Sequence, residues 1–401
     1  MAVYEYVAKT KEGKILKGKT EDSTKERIID ILHDQGMVII SLKEVKKSLF
    51  TIRVPKKISS SEVVIFTRQL TTLIESGVSL VQALEILSDQ VTNIEFKRVI
   101  GTVLTDVREG KAFNAALVRF SKVFSSFYVS MVKAGEVSGN LSGILSRISG
   151  YLEKTIALQR KVKSSLTYPV VVICMAILIT MFLIVKVIPT FKEIFISLNA
   201  ELPIPTMILL GLSDFLRANL IWIIFGLVGI SFVIKNAIST PKGRRVYDKF
   251  ILEMPIFGPI LRKVAIAQFC RTFSTLVKSG VPILNALDIV GATSGNVIIE
   301  EAVSSSKKSV QEGEPLSEPL MRSTVFPPMV TRMIAIGEKT GKLEEMLTKI
   351  SQFYEEEVEA AVEGLTSLIE PLIIGFLGIV IGGIVVALFL PILKITQFIG
   401  G

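Results

Sequence analysis

Phe66-Thr-Arg68-Gln-Leu-Thr-Thr-Leu73-Ile-Glu-Ser76-Gly77-Val78 returns later in the chain as Phe269-Cys-Arg271-Thr-Phe-Ser-Thr-Leu276-Val-Lys-Ser279-Gly280-Val281. The match continues outward. Ala83-Leu84 pairs with Ala286-Leu287, and Glu109-Gly110 with Glu312-Gly313. After one residue is dropped, Gly135-Glu136-Val-Ser-Gly139 aligns with Gly337-Glu338-Lys-Thr-Gly341, Pro169 with Pro371, and Pro189 with Pro391. Self-similarity at a fixed offset marks duplicated structural units. Each copy ends in a long apolar run, so the duplication also constrains how the chain threads a membrane.

Hydrophobic residues make up 49% of the 401, and they are clustered rather than spread. Val170 to Ile188 is about 19 residues with one charge, Lys186, and Leu372 to Leu393 about 22 with none; both can cross a bilayer as helices. Leu220 to Ile234, about 15 residues, is ambiguous by length alone. Arg217 and Lys235 flank it and can extend their stems toward headgroups. Met1 to Gly13 has no apolar core of a signal peptide, so the first segment is expected in the cytoplasm. Cys174 lies in an apolar run and Cys270 in a soluble-looking helix, which offers no disulfide framework.

Charge orients the spans. Lys154, Arg160, Lys161 and Lys163 precede the first, and Lys235, Lys242, Arg244, Arg245 and Lys249 follow the second. Between them only Lys192 and Arg217 are basic. Lys and Arg near span ends favour the cytoplasmic side. Both repeats are therefore expected inside, the middle loop and the C-terminus outside. Two similar lobes in one compartment need an even number of crossings between them, so the weak middle span is required. The basic excess, roughly +9 before Pro169 and roughly −1 from Lys235 to Glu370, fits this threading. No zinc spacing or aromatic-basic motif points to nucleic acid.

The expected fold is mainly α: an integral membrane protein with two homologous cytoplasmic helical bundles, three transmembrane helices and a small N-terminal α+β module. Residues 1–57 form the module and a Lys-rich linker, with strands over 3–8, 15–20 and 38–45 and a helix over 23–35 capped by Ser23 or Thr24 and ended by Gly36. Residues 58–168 form the first repeat, 169–189 the first span, and 190–219 an outer loop. Residues 220–235 form the second span, 236–370 the second repeat, 371–393 the third span and 394–401 a tail. About six helices per repeat are expected, the last running into its span. Leu202-Pro203-Ile-Pro205-Thr206 should start a short interfacial helix ending near Leu216.

Several motifs invite chemistry. Gly13-Lys-Ile-Leu-Lys-Gly18-Lys19-Thr20 matches the phosphate-binding loop pattern letter for letter. A phosphate loop opens directly into a helix, whereas Ile15 and Leu16 sit inside this one and the next helix begins late, so a hairpin is the expected reading. His33 is the sole histidine, no His/Cys cluster offers zinc spacing, and neither catalysis nor a cofactor is expected. The Gly-Glu-x-[Ser/Thr]-Gly pair suggests a tight helix–helix turn, with Ser138 or Thr340 capping the next helix. Glu136 and Glu338 could alternatively be exposed partner contacts or a cation site. Gly378-x-x-x-Gly382 is small-residue spacing for close helix packing, within the chain or between copies. Lys154 and Lys161 correspond to Glu356 and Glu363. Either the two pre-span helices face each other, within a chain or across a dimer, or basic residues meet headgroups and the acidic face is solvated.

These residues resemble the type II secretion system protein F family, which includes inner-membrane platform proteins of type IV pili. The resemblance rests on Tyr4-x-Tyr6-x-Ala8 with Gly13 and Gly18, on both Ser-Gly-Val and Gly-Glu-x-[Ser/Thr]-Gly copies, on Leu202-Pro203 and on Phe326-Pro327-Pro328-Met329. It also rests on Ile369-Glu370-Pro371 and on the tail from Gly382 to Pro391, which looks most like the pilus branch. The resemblance implies a multi-pass protein of the bacterial inner membrane without enzymatic activity. It implies coupling of a cytoplasmic hexameric assembly or retraction ATPase to pilins or pseudopilins, alongside other inner-membrane assembly proteins, and a homo-oligomer. A type II secretion or competence-pilus platform is the near alternative. A polytopic transporter is the different-class alternative; it needs buried charges within spans, and Lys186 alone serves poorly.

Overall fold

The computed structural model describes residues 2–9, 15–22, 25–34, 36–45, 57–190 and 204–399. It divides into two compact units, Met1–Lys57 and Ile58–Gly401. In the first unit, strands β1 (Ala2–Lys9), β2 (Ile15–Asp22) and β3 (Val38–Val45) form an antiparallel sheet in the order β2-β1-β3. Helix α1 (Lys25–Asp34) buries Ile28 against Tyr6, Met37, Ile39 and Leu42. The expected strands and helix fall within two residues of these bounds. The proposed caps Ser23 and Thr24, and Gly13, lie outside the described residues. Gly18 is mid-strand opposite Tyr6, where an added Cβ would sit 2.5 Å from the tyrosine hydroxyl. The phosphate-loop reading therefore fails on geometry: Ile15 to Asp22 is a sheet strand, not a loop entering a helix.

The second unit is helical throughout. Its first lobe comprises α2 (Ser60–Glu75), α3 (Leu80–Gln90), α4 (Ile94–Arg108), α5 (Phe113–Val118), α6 (Ser126–Ser138) and α7 (Leu141–Phe182). After α7, one π turn over Leu183–Val187 carries the helix on to Thr190. Then come α8 (Ile204–Ser239) and α9 (Pro241–Glu253). The second lobe repeats the first as α10 (Phe257–Lys278), α11 (Ile283–Thr293), α12 (Val297–Gln311), α13 (Ser317–Arg322), α14 (Pro328–Thr340) and α15 (Leu343–Ile399).

The local signals explain the boundaries. Ser59 caps α2 in a full capping box: its hydroxyl accepts from Glu62 N at 3.2 Å and Glu62 accepts from Ser59 N at 2.7 Å. At the other end Gly77 has φ 84, its N–H bonds Ile74 O, and Val78 N–H bonds Leu73 O. That pair of bonds is the Schellman closure, and its left-handed residue is cheap only for glycine. Gly280 repeats it with φ 78: its N–H bonds Val277 O, and Val281 N–H bonds Leu276 O. Asn93 and Asn296, equivalent positions not singled out in the sequence, cap α4 and α12. The core is duplicated too. Phe66 meets Phe124 at 6.1 Å between ring centroids, and their counterparts Phe269 and Phe326 meet at 5.0 Å.

Among the described residues three helices are long and apolar enough to cross a membrane: Leu141–Thr190, Ile204–Ser239 and Leu343–Ala387 within α15. The apolar window of α8 has 0% of its residues buried in the protein, so it is no core helix. The short helix expected to end near Leu216 does not end there. Ile204 to Ser239 is one unbroken helix, because nothing between Leu216 and Leu220 breaks it and its early turns bury Thr206, Leu210 and Ser213.

Candidate coupling interface between the lobes and the spans

The Gly-Glu-x-[Ser/Thr]-Gly motifs do their work backwards along the chain. Glu136, near the end of α6, accepts from Phe113 N at 2.6 Å and Asn114 N at 3.0 Å. It thereby caps α5, whose own N-cap residue, Ala112, has no side-chain acceptor. Glu338 does the same in the second lobe, accepting from Leu316 N at 2.7 Å and the Ser317 hydroxyl at 3.4 Å. A carboxylate at a helix N-terminus satisfies orphan donors and meets the positive end of the dipole. The glycine before each Glu allows close helix approach: an added Cβ would lie 3.1 Å from Ile144 at Gly135 and 3.0 Å from Leu343 at Gly337. Gly139 and Gly341 are the left-handed C-terminal residues, with φ 70 and 69. The motif therefore is a helix–helix turn, but Ser138 and Thr340 do not cap the next helix. They donate backward to Gly135 O and Ile336 O, and Asn140 caps α7 through Gly143 N. The partner-contact and cation readings of the two glutamates give way to this local one.

A second duplicated contact ties the first helix of each lobe to its span-bearing helix. Arg68 meets Glu153 at 3.5 Å, and Arg271 donates through Nε to Glu355 at 2.8 Å. The side chains of the first pair are 73% and 41% exposed, those of the second 9% and 24%. The same pair is thus a solvated contact in one lobe and an enclosed one in the other. Gly110 and Gly313 close α4 and α12 with φ 88 and 83.

The lobes join along α7. Tyr151 Oη lies 3.0 Å from Thr272 Oγ1, and Arg147 donates to Lys278 O and to the Ser279 hydroxyl at 3.3 Å. Higher up, Leu158, Val162 and Leu166 pack with Ile260, Val358, Val362 and Leu365. Lys161 Nζ crosses to Glu359 at 2.7 Å and Glu363 at 3.8 Å. The pre-span helices α7 and α15 therefore face each other within the chain. Lys161 engages carboxylates rather than headgroups, and its nearer partner is Glu359, one turn before the residue the repeat alignment names. Lys263 adds a bond to Glu357 at 2.7 Å.

Pro169 is buried within α7, and Pro371 is exposed within α15. Farther along, two prolines of the spans open the backbone, and α8 closes it. Pro189 has no N–H, and the π turn hands the Ile188 N–H to Leu183 O. The freed carbonyls of Ile184 and Val185 accept from Ser213 at 2.6 Å and Arg217 at 2.7 Å. In the second copy Pro391 is four residues past Ala387, whose carbonyl accepts from the Thr206 hydroxyl. Arg217 thus serves a span carbonyl and does not reach for headgroups. Ile184, Ile188, Leu210 and Ile384 form the apolar cluster around these bonds. Lys186 is exposed, two residues from both Ile184 and Ile188 and so on the side of the helix away from this cluster. Among the described residues, nothing beyond their own helix backbone lies within 4 Å of a Cβ added at Gly378 or Gly382. Their face packs against no helix of the chain among the described residues.

Among the described residues no group of three His, Cys, Asp or Glu could hold a metal. Burial pushes the Cys270 thiol well above its ordinary range, which disfavours the reactive thiolate. A cavity of about 560 Å³ lies between α7 and α10, lined mostly by apolar side chains such as Leu158, Val162, Ile260 and Val264, with Lys163 and Arg271 at its wall; another, beside the Arg271–Glu355 pair, has Arg147, Lys154 and Lys278 in its lining.

Duplicated helical lobes docked on each other, each continuous with a membrane-length helix and joined through a third, define a membrane-embedded scaffold. The model of type II secretion system protein F matches residues 66–189 and again 269–391, and that of its N-terminal domain matches 1–43. The chain belongs to the type II secretion system protein F family, as a multi-pass protein of the inner membrane. It is 42% identical over 400 residues to the type IV pilus assembly protein PilC of Thermus thermophilus, covering 98% of both chains. It is 39% identical to that of Myxococcus xanthus, over 98% of this chain and 95% of the relative. The type II secretion system protein F of Vibrio cholerae is 30% identical, over 99% of each.

Proposed function

We propose that this chain is the inner-membrane platform of a type IV pilus assembly machine. In this reading both lobes are cytoplasmic and the C-terminus lies across the membrane. A cytoplasmic hexameric ATPase, for assembly or retraction, acts on the lobes, and the spans pass the motion to pilins entering or leaving the bilayer. The observation that supports this most is mechanical: α7 and α15 run from the lobe cores into the spans, with Lys161–Glu359 holding them side by side at that level. A displacement of either lobe then moves a span directly, with no intervening flexible loop. Pilus-assembly names among relatives at 39–42% identity favour a pilus over a secretion pseudopilus. Homo-oligomerisation and contact with other inner-membrane assembly proteins complete the reading, and the open Gly378–Gly382 face is available for a second copy.

The test is deletion and complementation in the native host. Loss of the chain should abolish surface pili while pilin still accumulates in the membrane. Site-specific crosslinkers on the exposed face of α3 or α4 should capture the ATPase. Normal piliation without the chain defeats the reading. Labelling that puts the two lobes on opposite sides of the bilayer defeats the threading.

A further inference from the structure

Helix α9 starts two residues after the membrane-length helix α8 ends, and it is amphipathic in an unusual way. Its protein-facing side is narrow: Leu252 is buried, and Asp248 is buried and accepts from Val297 N at 2.8 Å. Phe250 stands two residues from each, roughly 200° around the helix. That outer side carries Val246, Tyr247 and Phe250, which are 70%, 40% and 63% exposed. The apolar edge continues past the helix through Met254, Ile256 and Phe257, all exposed. Ile256 is the one non-glycine residue with positive φ among the described residues, at 73, and Phe257 N bonds Pro255 O across it at 2.9 Å. This γ-turn is strained for a β-branched side chain. It holds Ile256 out at 59% exposure, so the strain does not serve to bury that side chain in the chain's own core.

Cations rim this edge. Lys235, Lys242, Arg244, Arg245 and Lys249 face only two carboxylates, Asp248 and Glu253, over the same stretch. Arg245 is held by Glu301 at 3.0 Å and Lys249 loosely by Glu253 at 3.7 Å. Lys242 has no ion pair among the described residues.

We propose that α9 and the turn at Ile256 form a foot that lies in the surface of the bilayer, with Val246, Phe250 and Ile256 among the acyl chains and Lys242 and Lys249 on anionic headgroups. Three observations select lipid as the occupant. The apolar edge is continuous with the end of a span and therefore sits at membrane level. It points away from the protein's own core. Its rim is cationic, as a basic amphipathic helix on an anionic surface requires. The foot would fix the height of the second lobe against the membrane, so that force on the lobe tilts spans instead of peeling the lobe away. The inference holds whichever filament the platform serves.

The single tryptophan, Trp222, makes the test direct. In a Trp222→Phe background, Phe250→Trp is reconstituted as the full chain into vesicles of phosphatidylcholine with phosphatidylglycerol. The same is done with Phe257→Trp, so that one misfolded variant leaves the other to decide; melting temperatures against the parent check folding. Interfacial helices sit about 5–10 Å into the headgroup boundary, so lipids brominated high on the acyl chain should quench either tryptophan roughly twofold or more, while acrylamide quenches little. Lys242→Gln with Lys249→Gln should raise acrylamide access in the phosphatidylglycerol vesicles. Strong acrylamide quenching without bromolipid quenching overturns the proposal and leaves the edge for a soluble partner. Protection from both quenchers also overturns it, in favour of a second copy covering the foot.

Discussion

Arg217 Nε donates to the carbonyl of Val185 at 2.7 Å, and Val185 is four residues before Pro189, so the arginine supplies the helical hydrogen bond that the proline cannot. Thr206 stands in the same relation to Ala387 and Pro391. Helix α8 thus stitches the two repeated spans at equivalent positions. Arg217→Met should lower stability in detergent by about 1–3 kcal/mol, the cost of an unsatisfied backbone acceptor, while Lys235→Met should change little. Thermal unfolding of the two variants compares them; equal melting temperatures would remove the stitch.

Glu136 and Glu338 each cap a short helix from another helix. Alanine at either should cost about 1.5–3 kcal/mol, the range for hydrogen bonds to a charged acceptor. Hydrogen exchange should localise the change: Phe113 and Asn114 amides lose protection in Glu136→Ala, and Leu316 loses it in Glu338→Ala. Unaltered exchange at those amides would show that the caps are dispensable.

The duplicated arginine pairs should behave unequally. Arg68→Met breaks a solvated pair and should cost under about 1 kcal/mol. Arg271→Met leaves Glu355 enclosed beside Ser351, and should cost toward ~3 kcal/mol, the lower end for breaking a buried pair. Denaturant titration of both variants checks the order.

Asp106 gives the first lobe a buried, doubly paired carboxylate at a position where the second has Ser309. Lys111 at 2.6 Å and Arg119 at 2.7 Å hold its carboxyl below the usual aspartate range. A carboxylate with a lowered folded pKa stabilises fully above its unfolded value, about 3.9, and the gain disappears as pH falls through the folded value. Asp106→Asn should therefore destabilise at pH 6 and 7. Its deficit against the parent should shrink as both are acidified below about pH 4, and a deficit constant with pH would contradict the account.

Lys161 reports on the seam between the pre-span helices. Lys161→Glu should weaken it, and adding Glu359→Lys should restore more stability than adding Glu363→Lys. The single effects will be small, up to ~1 kcal/mol for exposed pairs, so a double-mutant cycle is the proper measurement. Equal rescue by both reversals would refute the nearer pairing with Glu359.

Much of this architecture was written locally. Duplication, Ser-Gly helix ends, the Ser59 cap and three apolar runs need only nearest-neighbour chemistry: positive φ favours glycine, orphan N–H groups need acceptors, and lipid admits about 20 apolar residues per crossing. Those signals determined a duplicated, mainly helical chain with membrane-length segments. What they could not carry was any contact set by distance in space. Glu136 looked available because its donors lie at Phe113 and Asn114, across a helix pair. Arg217 looked like a headgroup anchor because the carbonyl it serves is freed by Pro189 on another helix. The helix from Ile204 looked short because hydropathy falls near Asp214 and Arg217, although the backbone has no reason to break there. Only tertiary structure decided these partners, since a polar group's need for a hydrogen bond is fixed by its residue type, but which group answers it depends on how the helices pack.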